Sequence, residues 1–142
     1  NREAEQTVKE EPSIQPLKIL LVEDDRINSL MVRRLLEKMS HTVTDAANGI
    51  EALQCFAEAD FDLVLMDIQM PEMNGVEAIR EIRKTERFGS KSGVCAIALT
   101  AYAMAGDREK FLEEGFDEYL PKPVDMEELN SAVIRLNPLN RL

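Results

Sequence analysis

From Lys18 onward, short apolar runs alternate with longer stretches in which apolar residues recur three and four positions apart. The segments Lys18 to Val22, Thr42 to Ala46, Leu63 to Met66, Val94 to Leu99 and Glu118 to Leu120 predict strands. Between and after them lie helix candidates: Ile27, Leu30, Met31 and Leu35; Ile50, Leu53 and Phe56; Val76, Ile79 and Ile82; Phe111 and Leu112; and Met126, Leu129, Val133 and Leu136. Each set is expected to bury one stripe and leave the opposite face in water.

Five strand-then-helix units predict an α/β fold of three layers, a parallel sheet with helices on both faces, because parallel neighbours need a crossover that a helix supplies. The first, third and fourth runs are continuously apolar, as strands buried on both faces are. By contrast, Thr42-Val43-Thr44-Asp45-Ala46 alternates, which suits an edge. With the second strand at the edge and the first inside, the order becomes 2-1-3-4-5, the flavodoxin-like arrangement, with its switch point between strands one and three. Asn48-Gly49 and Asn74-Gly75 mark turns ahead of helices.

Charge sits where such a sheet should hold none. Asp67 follows Leu63-Val64-Leu65-Met66, Glu23 and Asp24 follow Ile19-Leu20-Leu21-Val22, and Lys122 follows Tyr119-Leu120-Pro121. An ionised group at the end of a buried strand needs a partner, and the topology brings all of these to the carboxyl edge beside the switch point, where ligands bind in such sheets. Three carboxylates in close company repel unless a cation joins them. Mg²⁺ suits the set, since it takes one or two carboxylates, keeps several waters and shares oxygens with phosphate. A carboxylate beside Mg²⁺ is also a nucleophile toward phosphorus. Thr100, closing the fourth run, is expected to aim its hydroxyl at the same place.

Composition narrows the alternatives. The chain has 142 residues, a single domain's length, of which 44% are apolar. Its net charge of −10 argues against nucleic-acid binding, which rests on attraction to phosphates. Arg80, Arg83, Lys84, Arg87 and Lys91 form a local basic run, read as a solvated helix face and loop. Cys55 and Cys95 lack CxxC spacing and are expected to be buried reduced thiols, which points to the cytoplasm. His41, the only histidine, falls in a turn and is a poor phosphodonor, ligand or base. No run approaches the roughly 18 apolar residues of a membrane span, so no membrane insertion is expected of this segment. Residues 1–16 are acidic and carry Pro12 and Pro16, read as a tail or interdomain linker; 17–137 form the domain and 138–142 a C-terminal tail. The start at Asn1, without Met, reads as a piece of something longer.

The segments Leu21-Val22-Glu23-Asp24-Asp25, Leu65-Met66-Asp67-Ile68-Gln69-Met70-Pro71, Leu99-Thr100-Ala101 and Tyr119-Leu120-Pro121-Lys122-Pro123 together resemble the receiver domain of two-component response regulators, most closely that of hybrid sensor histidine kinases. The resemblance covers nearly everything after the tail. It implies that Asp67 accepts a phosphoryl group from a phosphohistidine on a histidine kinase or histidine phosphotransfer protein, and that the domain phosphorylates and dephosphorylates itself rather than turning over a substrate. Asp24, Asp67 and the main-chain carbonyl of Gln69 would hold Mg²⁺, with Glu23 helping through a water. Lys122, Thr100 and the backbone of Ala101 and Ile68 would bind the phosphate, and Thr100 and Tyr119 would form the switch. The Lys122–Pro123 bond is expected to be cis, and Gln69 and Tyr102 to tune access of water to the phosphoryl group. A second copy of the chain is a further candidate partner.

Two other function classes compete. A haloacid dehalogenase-like phosphohydrolase also uses a strand-end aspartate with Mg²⁺, but wants an acid where Gln69 stands. A pseudo-receiver interaction module would lack part of the acid or lysine set, and none is missing. Asp25 is read as sitting near the N-terminus of the first helix, where the helix dipole favours it. Ile27 and Met31, four apart near the acidic end, are weighed between core packing and docking of the partner helix.

Overall fold

The structure is a computed structural model that describes residues 16–101, 104 and 106–136. The tails at 1–15 and 138–142, and Tyr102, lie outside the described residues.

In chain order the elements are β1 (Lys18–Val22), α1 (Arg26–Lys38), β2 (Thr42–Ala46), α2 (Gly49–Glu58), β3 (Leu63–Asp67), α3 (Gly75–Ile82), the short α4 (Thr85–Phe88) leading into a 3₁₀ turn at Gly89–Gly93, β4 (Cys95–Thr100), α5 (Asp107–Glu114), β5 (Glu118–Pro121) and α6 (Met126–Leu136). The five strands are all parallel in the order β2-β1-β3-β4-β5, the topology expected from the sequence. Strand ends shift slightly. β3 runs one residue further, to Asp67, because Asp67 pairs in register with Leu99 and the next amide, Ile68 N–H, donates to the Leu99 carbonyl at 3.0 Å.

Alternation along the strands divides the core in two. Ile19 and Leu21 of β1, Leu63 and Leu65 of β3, and Ile97 and Leu99 of β4 pack on one face under Val32 and Leu36 of α1 and Leu129 and Val133 of α6. Leu20, Val22, Val64, Met66, Ala96 and Ala98 fill the other face, under Phe56 of α2, Ile79 and Ile82 of α3, and Phe111 of α5. The asparagine of each Asn-Gly pair proves to be a helix N-cap, with the glycine as first helical residue. Asn48 accepts from Glu51 N–H at 2.9 Å, and Asn74 and Glu77 form a reciprocal capping box.

Two expectations about burial are corrected. The stripe Ile27, Leu30 and Met31 does not enter the core; all three are exposed, and Val32 and Leu36 are buried in their place. Helix α1 is apolar on two flanks and the sheet takes only one of them. Ile50, Leu112 and Met126 are likewise exposed. The basic run is also not uniformly solvated. Half-buried Arg83 donates to the carbonyls of Gly115 and Ser92, both at 2.8 Å, and of Val94, and pairs with Asp117 at 3.2 Å. Lys91 caps the end of α2 through the carbonyls of Phe56 and Ala59. Both cysteines are reduced thiols, Cys55 half-buried and Cys95 buried with its Sγ donating to the Leu136 carbonyl at 3.3 Å.

His41 is buried just after α1, where its Nδ1 accepts the Leu17 N–H at 3.0 Å, so the ring is held neutral with its proton on Nε2. Burial lowers its pKa from the ordinary 6.5. A histidine that charges less readily when folded contributes stability that is whole above its unfolded pKa and is lost as pH falls toward the folded value. The stability difference between the domain and His41→Gln in denaturant unfolding should therefore be largest above the ordinary histidine value of 6.5 and shrink as pH falls below it. A difference that stayed constant with pH would mean that the imidazole does not titrate on unfolding.

Candidate functional site

Three strand ends build the site. β3 delivers Asp67, which is only 2% exposed. The loop after β1 delivers Glu23, whose N–H donates to the Ala46 carbonyl at 3.0 Å and whose carboxyl group is buried, followed by the exposed Asp24. β5 leads into Lys122, whose N–H donates to the Thr100 carbonyl at 2.8 Å, which ties the lysine backbone to the end of β4. The Lys122–Pro123 bond is cis.

The lysine ammonium stands between two buried acids, 2.9 Å from Asp67 Oδ2 and 3.1 Å from Glu23 Oε1. Burial works to lower the Lys122 pKa, but its contacts with Asp67 and Glu23 outweigh that and raise it, so the lysine stays charged. One cation cannot neutralise two carboxylates. Burial, and then the neighbouring Asp67, push the Glu23 pKa up to about 7. Glu23 Oε2 accepts Asp25 N–H at 3.2 Å, whereas Oε1 accepts no hydrogen bond despite the ammonium beside it. Ligand oxygens of Glu23, Asp24 and Asp67 lie within 4.8 Å of one another. An all-oxygen set of this kind, with one buried oxygen lacking a hydrogen bond and a charge short of balance, fits a hard divalent cation.

The remaining residues singled out in the sequence fall around this centre. Asp67 Oδ1 accepts the Gln69 N–H at 3.1 Å. The Ile68 N–H, expected to face the phosphate, is instead spent in the sheet on Leu99, so the amide turned toward the carboxylate is that of Gln69. Thr100 is buried at the end of β4 opposite Pro121, with Ala101 exposed beyond it. Tyr119 is half-buried, its ring 5.4 Å from Phe111. Asp25 caps α1 by accepting from Ile27 N–H at 2.9 Å and Asn28 N–H at 3.2 Å, as expected.

Gly75 is a site residue whose reason the sequence did not disclose. A Cβ there would lie 2.4 Å from the Asp67 carbonyl oxygen, and its N–H donates to the Ile68 carbonyl at 3.0 Å, so the start of α3 presses on the strand end that carries Asp67. Gly49 does the same for α2, since a Cβ would lie 2.7 Å from the Met73 carbonyl. The Asn-Gly pairs signal a turn; only the packing shows that they also admit a backbone.

The response regulator receiver domain family matches residues 19–134. This chain belongs to that family. Among curated relatives of this receiver domain, the sensor protein GacS of Pseudomonas syringae pv. syringae is 39% identical over 118 residues, 83% of this chain and 13% of the relative. Hybrid signal transduction histidine kinase I of Dictyostelium discoideum is 38% identical over 136 residues, 89% of this chain and 8% of that protein. The receiver domain thus spans under a fifth of the length of these relatives. Among solved structures, the receiver domain of a Pseudomonas aeruginosa sensor histidine kinase, with magnesium coordinated in its active-site cleft, is 38% identical with a TM-score of 0.76, covering 86% of this chain and 98% of that one. The receiver domain of Saccharomyces cerevisiae Ssk1, crystallised with the histidine phosphotransfer protein Ypd1, is represented by a match of 31% identity and TM-score 0.78, covering 89% and 92%. This is a receiver domain of two-component and phosphorelay signalling.

A carboxyl whose folded pKa is raised contributes stability that is whole below its unfolded pKa of 4.5 and is lost as pH rises through the folded value of about 7. A divalent cation bound there would offset that loss, because it would need Glu23 and its neighbours ionised. The rise in melting temperature on adding Mg²⁺ should accordingly be larger at about pH 8 than at about pH 5.5, and Glu23→Gln should narrow the gap between the two. Equal shifts at both values would show that no proton leaves Glu23 when the metal binds.

Proposed function

We propose that Asp67 is the phosphoacceptor of this receiver domain and that it takes the phosphoryl group from a phosphohistidine on a histidine kinase or histidine phosphotransfer protein. The observation that carries the reading is a carboxylate buried at the end of β3, gripped by Lys122 at 2.9 Å within an acid cluster open to a cation. An Asp67 carboxylate oxygen attacks phosphorus, the O–P bond forms as the P–N bond breaks, and the imidazole leaves and takes up a proton. Such transfer asks the protein mainly for positioning and charge neutralisation. Lys122, already beside the attacking carboxylate, pairs with the incoming phosphoryl oxygens, and its release from Asp67 is compensated by them. Thr100 and the Ala101 N–H would complete the phosphate site, together with the Gln69 N–H, which donates to Asp67 Oδ1.

Glu23, Asp24, Asp67 and the Gln69 carbonyl would hold Mg²⁺, which supplies the positive charge that lets a crowded carboxylate meet an anionic phosphoryl group. The magnesium in the Pseudomonas aeruginosa neighbour supports that choice. Phosphorylation is then read out by Thr100 and Tyr119, whose hydroxyl and ring sit on adjoining strands. The half-buried Tyr119 ring, packed against Phe111, would turn inward as the Thr100 hydroxyl moves to the phosphate.

Partner docking is assigned to the outward flank of α1. Ile27 is 72% exposed and Met31 54%, beside Asp24, and the Ypd1 complex of a similar receiver supports a histidine phosphotransfer protein as the occupant. No helix among the described residues is long and apolar enough to cross a membrane. The reduced thiols support a cytoplasmic place for the domain.

Incubation with phosphoramidate and Mg²⁺ should add the mass of one phosphoryl group, and Asp67→Asn should abolish the addition; an Asn variant that still gained it would overturn the assignment. Alanine at Ile27 should slow transfer from a phosphorylated histidine phosphotransfer protein about threefold to tenfold, in keeping with loss of one exposed anchor, while leaving transfer from phosphoramidate unchanged. Equal slowing with both donors would remove α1 as the docking face.

A further inference from the structure

Helix α1 grips the sheet through its C-terminal half. Val32 and Leu36 are buried, and Leu35 and the C-cap residue Met39 pack partly against the same core, whereas the first turns of the helix, which carry Ile27, Leu30 and Met31, put no apolar side chain into it. Its rotation nevertheless decides where Ile27, Leu30 and Met31 stand relative to Asp67.

Something else holds the angle. β2 breaks its alternation at Asp45, which shares a sheet face with buried Val43, the face that α1 covers, yet is itself exposed and charged. The Asp45 carboxylate reaches α1 at two successive turns. Oδ1 accepts from Ser29 Oγ at 3.1 Å, and Oδ2 pairs with the Arg33 guanidinium, whose Nε donates to Glu37 Oε2 at 3.0 Å. Residues 29, 33 and 37 are spaced by four and so follow one flank of the helix. A carboxylate bridging two turns of that flank acts as a key against rotation.

The same pair shapes the ground beside the site. A cleft of about 620 Å³ runs from Glu23 and Asp24, past Ile27 and Leu30, to a wall made by Arg33 and Asp45. The Arg33 and Asp45 side chains are both 38% exposed, and ion pairs in such settings contribute little to stability. The pair adds little to stability, so what it can bias is where the first turns of α1 stand.

We propose that Asp45 is a positioning residue for phosphotransfer, holding α1 at the rotation in which its apolar flank meets the histidine-bearing helix of a partner in line with Asp67. The inference rests on α1 being the docking face. It predicts a split between partner recognition and chemistry that a general loss of structure would not produce.

The test uses phosphorylated Ypd1 of Saccharomyces cerevisiae as donor and phosphoramidate as control. Asp45→Ala should raise the KM for phosphorylated Ypd1 about fivefold while the rate at saturation stays within about twofold, a coupling of ordinary size for neighbouring groups. The phosphoramidate rate and the Mg²⁺-induced rise in melting temperature should not change. Asp45→Glu, which keeps the carboxylate, should recover most of the KM. Adding Ser29→Ala to Asp45→Ala should do no further harm, since both act through one contact. An unchanged KM, or equal slowing with both donors, would overturn the role of Asp45. Failure of phosphorylated Ypd1 to phosphorylate the unchanged domain would instead overturn the docking reading beneath it.

Discussion

A single ammonium group, that of Lys122, stands between two carboxylates that the sheet would otherwise have to bury uncompensated. Asp67 and Glu23 close strands β3 and β1 at the switch point of the sheet, and both are shielded from water. Buried charges demand partners, and Lys122 reaches both at about the distance of a charge-assisted hydrogen bond. Its backbone is in turn fastened to the end of β4 through Thr100. Three strands are thereby linked at one point by one side chain. The link still leaves a surplus of negative charge, seen in the raised pKa of Glu23, so the same constraint that secures the strand ends also invites a cation and an electrophile.

Much of this was legible from residue order. Continuous apolar runs marked the central strands, the alternation of Thr42 to Ala46 marked the edge, and acids directly after apolar runs marked the site. These signals are strong because burial of a strand on both faces leaves almost no freedom of composition. The features that escaped are those in which composition underdetermines contact. Helix α1 carries apolar residues on two flanks, and pattern alone could not choose which flank the sheet takes. Arg83 looked like any basic residue of a solvated run, because its acceptors are mostly backbone carbonyls, which every residue possesses. The engagement of the Ile68 amide in the sheet, with the Gln69 amide turned to Asp67, follows from β3 pairing one residue further than its apolar run.

The glycines ahead of α2 and α3 join these levels. Each is preceded by an asparagine that caps the helix, and each lets the helix start lie against the loop or strand end beyond β3. Local capping chemistry and close backbone approach are satisfied by the same dipeptide, so the helix that covers the sheet also braces the strand that carries Asp67.

Arg83 lies at the opposite end of the molecule from Lys122. Its guanidinium gathers the segments that lead into β4 and β5, through Ser92 and Val94 on one side and Gly115 and Asp117 on the other, and Asp117 also accepts the Ala96 N–H at 2.9 Å. These two strands are therefore riveted at the foot, while Thr100 closes the upper end of β4 and Lys122 follows that of β5. A strand clamped at its base cannot slide to report an event at its tip. Held there, the sheet is a fixed frame for the side chains, loops and helices at its carboxyl edge.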